Sequence, residues 1–190
     1  MSSQPNVGER FKQNVIGLAS NFKAINNSAI EKGHNLVKRE LTVFLEAYLS
    51  RMDGRDLLRY FAEYSYVYWD EISRRDTVFF NEHAEHIFDF SGYTGTEFGD
   101  VAGQPRNVIM FKQLLTSDDA VTDEDRDLFW RYFEAMVRIC WKAILEDESR
   151  SHPPTSDSEL WISEEVRNRI LELPDIEEIV QRIMERRSQR

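Results

Sequence analysis

TDEDRDLFWRYFEAMVRICWKAILED, residues 122–147, decides the fold. Phe129, Tyr132, Phe133, Met136, Cys140, Ala143 and Ile144 recur at steps of three and four, the spacing of one apolar helix face. Thr122 stands where an N-cap belongs, and Asp123, Glu124 and Asp125 set negative charge on the positive end of the helix dipole. Neither Pro nor Gly interrupts the run. Such a helix extends roughly 35 Å, enough to cross a small domain. It predicts a scaffold.

Downstream, ESRSHPPTSDSE holds two adjacent prolines and no aliphatic residue, and reads as a linker over 148–159. Leu160, Trp161, Ile162, Val166, Ile170 and Leu173 then suggest a short amphipathic helix, and Leu-Pro-Asp at 173–175 restarts another. The segment 160–190 is therefore expected to be a helical hairpin appended to a helical domain spanning 1–147.

Upstream, Phe11, Val15, Leu18 and Phe22 trace a helical stripe from about residue 9, weakened by Gly17 and by the run Asn26-Asn27-Ser28. A second helix is expected over 36–51, and a third from Arg55, carrying Leu57, Leu58, Tyr60, Phe61, Tyr64, Val67 and Trp69. Aromatic side chains at that spacing are expected in the core, because they bury the most area per residue. The alternation of Tyr64, Tyr66 and Tyr68 offers a strand as the lesser reading. A further helix over 77–88 leads to a loop, 91–106, holding four of the eight glycines. The fold class is all-α: an irregular helical bundle around one long central helix, with a C-terminal helical hairpin.

With 41% apolar and 12% aromatic residues, 190 residues suffice for a sizeable core. The net charge of −10 disfavours unspecific binding to nucleic acid, whose phosphates it would repel. The charge is uneven. Residues 1–40 hold six Lys/Arg against three Asp/Glu, and residues 181–190 hold four Arg against one Glu, so 41–180 carries −16. This reads either as ordinary helix-surface charge with a frayed basic tail or as an acidic body with basic, partner-seeking ends. The single cysteine, Cys140, excludes an intramolecular disulfide and fits a reducing, cytoplasmic setting; it is expected as a buried, inert thiol. No apolar run has the length of a membrane span.

Chemistry has one candidate cluster, Glu82, His83, Glu85 and His86, in which Glu82 and His86 share a helix face. The cluster has neither the HExxH order of metalloproteases nor the Glu-x-x-His pairs of di-iron bundles, so a solvated polar face competes with a metal site. The acidic run Asp118–Asp127 lacks the glycine and terminal glutamate of a calcium loop. No cofactor is expected. The second candidate is the stripe Phe11, Val15, Leu18 and Phe22, which either packs on the chain's own acidic body, its lysines pairing with carboxylates, or docks on a partner, helix in groove.

The succession of an aromatic helix, SRRDTVFFNEHAEHIF, a glycine loop, a short helix and TDEDRDLFWRYFEAMVRICWKAI resembles helical proteins encoded by large eukaryotic DNA viruses, over about residues 55–145. The resemblance implies an assembly or accessory component and no catalytic residue. Together these readings predict a non-enzymatic interaction or structural protein working with a protein partner or as a homo-oligomer; a small helical metal-binding protein or enzyme built on the histidine cluster is the alternative.

Overall fold

A computed structural model of the chain describes residues 6–34, 37–79, 82–83, 112, 116–150, 156 and 159–189. Among these, seven α-helices form and no strand does: α1 Val7–Glu31, α2 Arg39–Arg51, α3 Gly54–Ser65, α4 Trp69–Arg74, α5 Asp123–Glu148, α6 Glu164–Leu171 and α7 Ile176–Ser188. The all-α expectation holds. Tyr66–Tyr68, the alternating stretch, forms a single 3-10 turn between α3 and α4.

α5 begins where its caps require. Thr122 Oγ1 accepts from the Asp125 backbone N–H at 3.2 Å while Asp125 Oδ2 accepts from the Thr122 N–H at 3.0 Å, a reciprocal capping box. α1 is more continuous than its composition suggests, since it passes through Gly17 and the asparagines without a break. Tertiary burial outweighs weak propensity here. Phe22, Ile25 and Ala29 sink into one cluster with Val37, Leu41, Val121 and Phe129. The buried Asn26 donates from Nδ2 to the Val37 carbonyl at 3.0 Å, so its polarity ties α1 to the following turn. α1 stops at Gly33, whose φ of 91° suits only glycine well; Gly33 N–H bonds Ile30 O and His34 N–H bonds Ala29 O, closing a Schellman motif.

The contacts divide the chain into two compact units. One comprises residues 16–51 and 76–130, and its described core is the cluster just named. In it Lys23 of α1 pairs with Glu46 of α2, which also accepts from Ser20 Oγ at 2.6 Å. The Lys23 bond, then the serine bond, holds the Glu46 carboxyl below its ordinary value against burial.

The other unit comprises residues 1–15, 52–75 and 131–190, so the 160–190 segment shares it with α3, α4 and most of α5. Phe11 lies 5.5 Å from Phe61, ring to ring. Trp69 is fully buried, with its indole N–H on Ser65 Oγ at 3.1 Å. α1 and α3 approach closely at two glycines: a Cβ on Gly54 would sit 2.3 Å from the Gly8 carbonyl oxygen and 2.6 Å from its carbon. Backbone cannot swing aside as a side chain can. Gly54→Ala is expected to cost about 1–3 kcal/mol through overpacking, read as a lower urea midpoint at unchanged slope. An unchanged midpoint would show that the two helices do not meet there.

Candidate interaction surface

Two buried acids on α5 organise the second unit, and neither stands out from the sequence. Glu134 is 5% exposed. Arg75 grips it with both ends of its fork, Nε to Oε1 at 2.8 Å and the terminal nitrogen to Oε2 at 2.9 Å, and Arg186 of α7 donates to Oε1 as well. Burial pushes this carboxyl up, but hydrogen bonds from Arg75 and Arg186, with their charges, bring it below its ordinary value. Arg75 holds this position from a left-handed backbone, φ 57°, where α4 ends. That conformation costs a non-glycine residue on the order of 1 kcal/mol, which the bidentate pair offsets. Beside it Arg182 of α7 donates to Asp70 Oδ1 at 2.9 Å and to the buried Ser73 hydroxyl of α4. The second acid, Asp147, accepts from the backbone N–H of Trp161 at 2.9 Å and of Ile162 at 3.4 Å, fixing the turn before α6; burial holds its carboxyl above the ordinary value despite these bonds and Arg150.

These pairs account for two of the four arginines of the basic C-terminus. Arg182 pairs with Asp70 and Arg186 with Glu134, both inside their own unit. Spacing gives no signal for Glu134: it stands one residue after Phe133 and two before Met136, off the stripe those residues share.

The residues singled out from sequence lie as follows. Glu82 is exposed and His83 half-buried, with Nδ1 3.0 Å from the Phe79 carbonyl and its ring stacked on Phe79 at 4.4 Å. Glu85, His86 and the 91–106 loop lie outside the described residues. Among the described residues no three His, Cys, Asp or Glu side chains gather in a way that could hold a metal ion. Phe11 and Phe22 are buried within the chain, Phe22 against Phe129 at 6.0 Å; Val15 is half-buried, and Leu18 packs on the cluster around Phe22. The structure thus places Phe11 and Phe22 on the chain's own body. Cys140 is fully buried, and that burial pushes its thiol well above the ordinary value.

α3 departs from the core expectation. Leu57, Leu58, Ala62 and the following Trp69 are buried, but Tyr60, Tyr64 and Val67 are 38%, 53% and 51% exposed. Tyr60 and Tyr64, four apart, share one face of α3, and Val67 follows three residues on, in the 3-10 turn after it. Elsewhere among the described residues the large exposed apolar side chains occur singly, as Val43 on α2, Val78, Leu145 on α5, Leu171 on α6 and Met184 on α7. Single ones are ordinary on any surface. A row of three in successive turns marks a candidate interaction face.

The α3 face is also acidic. Asp53, which caps the helix through the Arg55 N–H at 2.8 Å, is exposed, as are Asp56 and Glu63 on the same side. The two cations of α3 turn elsewhere: Arg59 donates to the Leu160 carbonyl at 2.6 Å and the Trp161 carbonyl at 3.3 Å, and Arg55 lies 4.6 Å over the Trp161 ring. No helix among the described residues is long and apolar enough to cross a membrane. No protein-family model, curated protein or solved structure matches the chain.

Proposed function

We propose that this chain is a non-enzymatic interaction protein that engages a protein partner through the outward face of α3. The observation that carries the reading is the row of half-exposed Tyr60 and Tyr64 on α3 and Val67 in the 3-10 turn after it, on a helix whose other side is anchored by Leu58, Ala62 and the arginine bonds to residues 160–161. A rigid helix presenting aromatic side chains at low entropic cost is how helical recognition surfaces are built. The titratable groups brought together in the same unit hold its helices to one another: Glu134 and Asp70 with arginines of α7, and Asp147 with the turn before α6. In this reading the protein is a structural or accessory component of an assembly, of the kind the viral resemblance implies, in a reducing cytoplasmic setting that a lone buried thiol suits.

The test is the double variant Tyr64→Ser with Val67→Ser. Both sites are exposed, so its melting temperature should stay close to that of the intact chain. Chain isolated natively from the cells that make it should migrate as a larger assembly, and the variant as a monomer. An intact chain that is a monomer and turns over a small molecule would refute the reading. An assembly indifferent to both substitutions would remove α3 from it.

A further inference from the structure

We infer that the partner segment received by α3 is a basic amphipathic helix, with apolar residues along one stripe and Lys or Arg on its flanks. The inference rests on the interaction reading above and adds the chemistry of the occupant. Asp53, Asp56, Tyr60, Glu63, Tyr64 and Val67 follow one another at helical steps, so carboxylates and apolar side chains interleave on one exposed strip. Arg55 and Arg59 leave that strip for the 160–161 backbone and the Trp161 ring. Among the described residues of α3 and the turn after it, what stands outward on this strip is apolar and negative, and its complement is apolar and positive.

The charge also selects among occupants. A second copy docking by the same face would set Asp56 and Glu63 of one chain against the same acids of the other, since a two-fold contact is self-complementary. Nucleic acid and anionic membrane surfaces carry the wrong sign for this strip. A cationic protein helix satisfies both features at once: its apolar stripe covers Tyr60, Tyr64 and Val67 while its flanking cations meet Asp56 and Glu63. The face of one short helix is small, so the association belongs to the weak, transient class and its rate should be salt-sensitive.

The probe is a fluorescent 18-residue helical peptide of Leu and Lys, compared with one in which Glu replaces Lys, titrated with the full chain and read by anisotropy. The intact chain should bind the Lys peptide and not the Glu peptide. Asp56→Lys with Glu63→Lys should weaken binding about tenfold or more, roughly what two close opposite charges supply. A control, Glu172→Lys with Glu177→Lys, makes the same change in net charge at two exposed sites off α3, and should weaken it far less. Asp56→Asn with Glu63→Gln, which disturbs the helix less, should give an intermediate loss. Equal weakening by the two Lys pairs would reduce the effect to the overall charge and overturn the inference. So would equal binding of both peptides. Self-association of the intact chain that Tyr64→Ser with Val67→Ser abolishes, without preference for the Lys peptide, would make a second copy the occupant: the basic partner falls and the interaction reading survives. A native assembly untouched by that double variant removes the interaction reading itself.

Discussion

Replacing both Phe11 and Phe22 by Ala is expected to unfold the chain rather than release it from a partner. Phe11 is 0% exposed and packs its ring, tilted, against Phe61; Phe22 is 7% exposed and packs likewise against Phe129. Removing a buried Phe costs about 3–5 kcal/mol, the lost transfer energy plus the cavity left behind. The two side chains are three turns apart on α1 and pack on different rings, so their costs should nearly add, to about 6–10 kcal/mol. That is comparable with the whole stability of an ordinary domain, about 5–15 kcal/mol. Far-UV circular dichroism of the double variant should show lost helix at 25 °C, with each single variant folded but melting lower. A double variant that keeps its melting temperature and loses only an assembly would contradict the burial of this stripe.

Glu134→Ala should be the most damaging single change of a charged residue, at about 3 kcal/mol. Its removal leaves Arg75 and Arg186 facing each other without the carboxylate that both now bond. Breaking a buried pair costs about 3–5 kcal/mol because the surviving charge is desolvated and unpaired; both arginines are partly exposed, which places the expectation at the lower end. The same group makes stability depend on acid. The folded Glu134 carboxyl lies below its ordinary 4.5, so the folded state binds fewer protons there than the unfolded chain. The stabilisation is therefore complete above about pH 4.5 and is lost as pH falls through the lowered folded value. Asp70 contributes with the same sign through Arg182 and Arg74, its own burial opposing. Asp147, held above 3.8 by burial, acts in the opposite sense: its contribution declines as pH rises from 3.8 through its folded value. Chemical unfolding from pH 7 to pH 3 should show a shallower acid-side loss in Glu134→Ala than in the intact chain. Parallel curves would mean that Glu134 is not ionised and paired in the fold.

The helical class and the ends of the central helix were legible in the residues, because both depend on near neighbours. The three- and four-residue steps of Phe129, Met136, Cys140 and Ala143 lie within one element, and the Thr122–Asp125 box closes over three residues. The α1 stripe was legible for the same reason, although its passage through Gly17 and Asn26 was not. What carries the helix there is Val37 accepting from Asn26, and the packing of Phe22 on Phe129.

The candidate face on α3 could not be read off, because the periodicity that sets Tyr60 and Tyr64 on one face does not say which side of the helix is covered. That depends on Gly8 and Phe11 of α1 and on the Leu160 and Trp161 carbonyls, which take up the other side of α3 and its two arginines. The fates of Glu134, Arg182 and Arg186 were hidden likewise. An ionisable side chain in a helix looks solvated until its partner is known, and these partners stand 59, 112 and 52 residues away along the chain. Local spacing determined which segments are helices and where α5 starts. Only the tertiary structure decided which charges are buried and which aromatic residues remain outside, because desolvation is set by what packs across from a residue and not by what flanks it.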